Sequence, residues 1–236
     1  MIFDDRNKIR TGDTLLFSGS TTTAFLIKFF TSSKYNHMGI AIWLDPKNRI
    51  IRSSKGNRSK LYVLEINAHE RYVVLSNTYT KGLALTDYDL LLEGYNEIYV
   101  RHINSDYVDD RFCKKAKRFM IKHAGIGYSS TLGPIIGVWI GCPVSGIKRE
   151  KDEMFCSEMA AYFYLDVCGT LPTSDKPARL YKPDDYAYPC MGIFEGSEYS
   201  IYTDYSDASV ALIIPIITAL FLAVLISMTF PRKRYI

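Results

Sequence analysis

Residues 37–44 read His37-Met38-Gly39-Ile40-Ala41-Ile42-Trp43-Leu44, eight positions without a formal charge. Successive side chains of a strand point to opposite faces. Met38, Ile40, Ile42 and Leu44 therefore form one aliphatic face, and His37, Gly39, Ala41 and Trp43 share the other. The run predicts a strand that His37 opens, pointing away from the aliphatic face. Working outward, Asp45-Pro46-Lys47-Asn48 supplies a turn into a second strand over residues 49–53. Further strands are expected at 14–17, 61–66, 71–76 and 97–103.

Helical spacing interrupts these strands. Phe25, Leu26, Phe29 and Phe30 recur at helix period over 21–31. Asp109 or Asp110 can cap a helix that runs to about His123, with Gly125 closing it. Another begins near Phe155-Cys156 and runs to Gly169, a residue suited to a helix end, with Pro172 beyond. Between these two, residues 126–146 are rich in backbone breakers and read as irregular, partly buried and lining a cleft. Strands and helices together make an α+β chain, with an antiparallel sheet packed on helices.

The chain has 236 residues, enough for one ordinary domain plus appendages. It is 47% hydrophobic, 23% charged and 14% aromatic, which excludes a disordered chain, a collagen and a coiled coil. The net charge is +4, of which the tail beyond residue 209 holds three units in Arg232, Lys233 and Arg234. Nucleic-acid binding thus has no compositional support.

Residues 210–230 read VALIIPIITALFLAVLISMTF without one charge. At about 1.5 Å per helical residue that length matches one hydrocarbon core. The expected layout is a globular domain over 1–194, a polar tether rich in Tyr, Ser and Asp over 195–209, a transmembrane helix over 210–230 and a basic tail over 231–236. Asp4 and Asp5 leave no room for a secretory signal at the start, so the partner expected at the tail is a lipid bilayer, crossed once. Topology has two opposing cues. Tail insertion leaves the domain facing the cytosol, whereas the positive-inside tendency keeps the Arg-Lys-Arg end there. An odd count of five cysteines without CxxC spacing favours reduced thiols, and the cytosol-facing arrangement is the expectation.

Cys113, Cys142, Cys168 and Cys190 read as packing residues. Cys156 falls in the first turn of a helix, where unpaired N–H groups and the helix dipole favour a thiolate. A nucleophilic thiol needs a base, and the base needs a group that fixes its tautomer. His37 and Glu65 can serve, because neighbouring strands would bring them side by side and a carboxylate on the face of Leu61 and Val63 needs a partner. His69, His102 and His123 read as a turn residue, an outward strand residue and a helix end. No histidine pair has metal-ligand spacing, so neither a metal nor a cofactor is expected.

The order of segments resembles the circularly permuted branch of the NlpC-type papain-like fold, which includes bacterial YiiX-type hydrolases, related poxvirus proteins and, more distantly, lecithin-retinol acyltransferase. The elements that carry the resemblance are Thr11-Gly12-Asp13-Thr14-Leu15-Leu16-Phe17, Tyr35-Asn36-His37-Met38-Gly39-Ile40-Ala41-Ile42 and Tyr62-Val63-Leu64-Glu65. Gly82-Leu83-Ala84-Leu85, Ile98-Tyr99-Val100-Arg101, Phe155-Cys156-Ser157-Glu158-Met159-Ala160-Ala161 and Pro183-Asp184-Asp185-Tyr186 follow. The resemblance spans most of residues 9–187. It implies Cys156 as nucleophile, His37 as general base and acid, and Glu65 as the orienting group, with Tyr128 and Ser157 at the oxyanion or substrate. Extra residues at 54–60 separate the His37 and Glu65 strands, which leaves Ser53 or His69 as substitutes for Glu65. The implied activity is hydrolysis or transfer of a peptide or lipid acyl group. The rival expectation is a silent membrane-tethered scaffold that meets neighbouring structural proteins, for example at a virion's inner membrane.

Overall fold

The computed structural model describes residues 2–54, 56, 58–73, 78–129, 153–172, 177–187 and 192–204. Its elements run β1 (Ile2–Asp4), β2 (Thr14–Ser18), α1 (Thr22–Thr31), β3 (His37–Leu44), β4 (Ile50–Ile51), β5 (Lys60–Val73), β6 (Thr78–Asp87) and α2 (Tyr88–Leu92). Then follow β7 (Glu97–Ile103), α3 (Asp110–Lys122), β8 (Gly127–Tyr128), β9 (Glu153–Met154), α4 (Cys156–Cys168), α5 (Asp184–Ala187) and β10 (Phe194–Asp204). Strands and helices are mixed, as expected of an α+β chain. The main sheet is antiparallel, ordered β1-β10-β7-β2-β3-β5-β6, with β4 beside β3.

Both sheet faces are covered, so all eight residues of β3 are buried. On one face Met38, Ile40, Ile42, Leu64 and Leu85 pack against α3 and α4 through Phe112, Phe119, Met159 and Phe163. On the other, Leu15, Phe17, Ala41, Trp43 and Val63 join Tyr88, Leu91, Ile98 and Ile201. Burial on two faces explains why β3 carries scarcely a polar side chain after His37.

The helices follow their punctuation. The Thr21 hydroxyl accepts from the Ala24 N–H and the Asp109 carboxylate from the Phe112 N–H, each satisfying a donor the helix start leaves free. Gly169 ends α4 in the left-handed conformation at φ 79°.

Three expectations are revised. Residues 194–204 form β10, paired to β7 and β1, so the domain does not end at residue 194 and the polar stretch begins as sheet. Tyr199, Ile201 and Tyr202 have the aromatic and branched side chains that strands favour, and two register shifts hide their alternation. Residues 61–66 and 71–73 belong to the single strand β5, whose irregularity between Asn67 and Arg71 mimics a turn. His102 does not simply face solvent. Its Nδ1 lies 2.7 Å from the buried Asp13 carboxylate and its Nε2 2.6 Å from the Tyr199 hydroxyl. Asp13 also accepts backbone N–H groups of Arg10 and Ile103, so this polar array ties β2, β7 and β10 together. Among the described residues no helix is long and apolar enough to cross a membrane. Residues 205–236, with the expected remaining tether, membrane segment and basic tail, lie outside them.

Candidate active site

His37 opens β3, and β5 is its neighbour, with Ile40 opposite Leu64 and Ala41 opposite Val63. One step further, Gly39 faces Glu65. A methyl group on Gly39 would stand 2.4 Å from Val63 Cγ1, 2.9 Å from the Leu64 carbonyl oxygen and 3.5 Å from Glu65 Cβ. The missing side chain leaves the gap across which Glu65 reaches His37. His37 Nε2 lies 2.6 Å from Glu65 Oε2. The other oxygen, Oε1, accepts the Thr86 hydroxyl at 2.7 Å, so a fully buried carboxylate has both oxygens bonded.

With Nε2 committed to Glu65, Nδ1 is the nitrogen left for the thiol. Burial by itself would lower the His37 pKa, but hydrogen bonding and charge from Cys156 and Glu65 outweigh it and push the value up to about 10. The cationic form of the ring is therefore favoured despite its burial. The ring is also clamped. Tyr95 stacks parallel to it at 5.9 Å and 4°, and Phe17 lies at 5.6 Å.

Cys156 is the first residue of α4, following Phe155 in extended conformation. The start of that helix is tied down from outside. The Ser157 hydroxyl donates to the Tyr181 carbonyl at 2.6 Å, and the Tyr186 hydroxyl donates to the Ser157 carbonyl at 2.6 Å. The Ser157 hydroxyl, expected at the oxyanion or substrate, thus anchors the helix instead. The first backbone N–H groups of a helix have no partner within it, and Cys156 opens α4.

Tyr128 sits beside this helix start, paired with Met154 across β8 and β9 and with its ring 6.2 Å from that of Phe155. Gly82, at φ 101°, lets β6 come so close to this segment that an added Cβ would stand 1.9 Å from the Ile126 carbonyl oxygen. The Leu83 N–H donates to that same oxygen at 2.9 Å, pinning β8 to the sheet. Burial, and then the charge of Cys156, push the Tyr128 phenol far above its usual range, so it stays a hydrogen-bond donor.

Two adjoining cavities meet here. One, of about 440 Å³, is lined by His37, Asn67, Tyr95 and Leu91; the other, of about 40 Å³, by Cys156, Ser157, Phe155 and Lys182. Ile27, Asn36 and Tyr128 line both. The imidazole opens to the larger space and the sulfur to the smaller, a division suited to a leaving group on one side and a carbonyl oxygen on the other.

The proposed substitutes for Glu65 fare differently. Ser53 bridges Arg10 and lines a separate groove with Arg52 and Lys114, and the His69 side chain lies outside the described residues. Thr86 and Tyr95 escaped the sequence reading. Thr86 follows the apolar alternation of Leu83 and Leu85 and betrays its partner only through register, and Tyr95 sits in a loop without periodicity. Of the other cysteines, Cys113 and Cys168 are partly buried, and burial pushes the Cys168 thiol up to about 12. Cys142 and Cys190 lie outside the described residues. Among the described residues no group of three or more His, Cys, Asp or Glu side chains is placed to hold a metal ion.

No family model matches the chain. The uncharacterized protein R372 of Acanthamoeba polyphaga mimivirus is 26% identical over 204 aligned residues, covering 76% of this chain and 74% of that protein. The crystal structure of the metalloprotein yiiX from Escherichia coli O157:H7 aligns over 83% of this chain and 98% of its own at 14% identity, with a TM-score of 0.47.

Proposed function

We propose that the protein is a thiol hydrolase or acyltransferase of the permuted papain-like type, held on a membrane by residues 210–230, and that Cys156, His37 and Glu65 carry its chemistry. The observation behind this reading is the buried Glu65 carboxylate hydrogen-bonded at 2.6 Å to an imidazole whose affinity for a proton is raised by its two neighbours, Cys156 at a helix start and Glu65 itself. A packing cysteine needs none of this, and neither does a scaffold that only preserves the shell.

In the proposed cycle the proton given up by Cys156 already rests on His37 Nδ1, as the raised His37 pKa favours, and the thiolate attacks an amide or ester carbonyl carbon. The new C–S bond places negative charge on the carbonyl oxygen, which the Cys156 backbone N–H and the Tyr128 hydroxyl can stabilise. His37 returns its proton to the departing nitrogen or oxygen as that bond breaks, leaving a thioester. Water or another acceptor then attacks, giving its proton to His37, and the thiol reforms as the acyl group leaves. Glu65 holds the ring's tautomer and offsets its charge throughout, and Thr86 holds Glu65.

Thiol-directed labelling tests the assignment. Iodoacetamide should modify wild type at Cys156 at least tenfold faster than at any other cysteine, and Cys156→Ala should lose that fast phase while keeping its circular dichroism. Equal labelling of both proteins removes Cys156 from the chemistry.

A further inference from the structure

The order of rungs across the sheet sets where the chain leaves the fold. Tyr202 pairs with Ile98, Ile98 with Phe17, and Phe17 with His37. At about 4.8 Å per strand, Tyr202 stands about 14 Å from His37 on the same rung. β10 runs parallel to β2, toward the end of the sheet where Gly19, Thr21, Asn36, Gly94 and Tyr95 surround the His37 cavity. The described chain ends there at Asp204, and only residues 205–209 precede the uncharged run 210–230. Five residues reach at most about 18 Å.

The same end of the molecule is unusually apolar. Phe29 is 55% exposed, Leu90 52% and Leu26 39%, three of the five large exposed hydrophobic side chains among the described residues. Leu26 and Phe29 lie one helical turn apart on α1, whose Thr23, Ala24 and Ile27 line the His37 cavity. Leu90 lines that cavity directly from α2. The remaining two, Ile121 and Leu165, sit on α3 and α4. Leu26 and Phe29 on α1 and Leu90 on α2 are thus exposed apolar side chains of the two helices that border the cavity, and such side chains mark a contact surface along this rim.

We propose that this rim rests on a lipid bilayer, so that the His37 cavity opens onto the membrane that residues 210–230 enter. The inference rests on the membrane-spanning reading of that run and adds an orientation to it. The short connection admits a bilayer surface at this end of the sheet. Asp89 and Glu93 flank Leu90, so the attraction is apolar, and a zwitterionic bilayer suffices. A substrate that fits this arrangement presents its scissile carbonyl from the membrane interface.

The test uses the full chain in phosphatidylcholine vesicles whose acyl chains carry bromine, a short-range quencher of tryptophan. Phe29→Trp and Leu90→Trp should each lose at least half of the added fluorescence, measured against the wild-type background, and Ile121→Trp should lose almost none. Quenching at 121 equal to that at 29 and 90 overturns the proposal. So does shielding of 29 and 90 from aqueous acrylamide without bromolipid quenching, the sign of a second copy or another protein on the rim. A chain that fails to float with the vesicles refutes the spanning reading and the orientation together, whereas a floating chain unquenched at 29 and 90 refutes the orientation alone.

Discussion

Gly39 does more for the site than any polar residue near it, because it is the gap between two side chains that must touch. Gly39→Ala must push Val63 or the Leu64 backbone aside, and overpacking of this kind costs about 1–3 kcal/mol. The expected result is a lower urea midpoint together with loss of fast Cys156 labelling; wild-type labelling at unchanged stability would show that Glu65 does not need the gap. His37 makes a second prediction. Its pKa in the folded protein, about 10, lies above the ordinary 6.5, so the stabilisation it brings is complete below about pH 6.5 and vanishes as pH rises through 10. The difference in urea midpoint between wild type and His37→Gln should be widest near pH 6 and narrow toward pH 10. A difference that widens with pH would mean the ring is not held as a cation.

The elements differ in how openly the sequence announces them. β3, α3 and α4 were legible because each has an unbroken period and clear end signals: His37 through Leu44 without a charge, Asp109 before α3, Gly169 after α4. β10 was not, since Gly196 at φ 59° and two register shifts break its alternation, and its Ser, Glu and Tyr residues read as tether. The site divides the same way. Cys156, His37 and Glu65 could be named from residue type and the order of segments. Thr86, Tyr95 and the purpose of Gly39 could not, because each acts across a rung or a loop and only the pairing of strands reveals whom it meets. β8 supplies the test at this scale. Gly82→Ala would drive a methyl group into the Ile126 carbonyl and strain a left-handed backbone. It should release the Tyr128 segment, slowing Cys156 labelling about tenfold or more while leaving the far-ultraviolet circular dichroism of the sheet. Unchanged labelling would detach Tyr128 from the reactive centre.

Across the whole molecule, β10 decides what counts as the domain. It covers β7, and its Ile201 and Tyr202 join the core face of Leu15, Phe17 and Ile98. A chain cut after Asp204 should fold cooperatively and keep a reactive Cys156. One cut after Ile193 should melt at least 10 °C lower or aggregate, because β7 becomes a bare edge and β1 loses its partner. Equal melting of the two by circular dichroism would return residues 194–204 to the role of tether. Most of the architecture was visible in advance as a mixture of strands and helices, but the strand order was not, since hydrophobic period says which face a residue takes and nothing about its neighbour.

The pairing of Ile2 with Asp204 has a mechanical corollary. The beginning of the chain and the departure of its tail are fastened to each other at one margin by a three-residue strand, so a pull between them unzips that strand one bond pair at a time before any load reaches the sheet behind it. A fusion placed on residue 1 would hang at that same margin and hinder whatever the tail must approach, whereas the turn at residues 45–48, at the far end of β3, offers a tagging position remote from both.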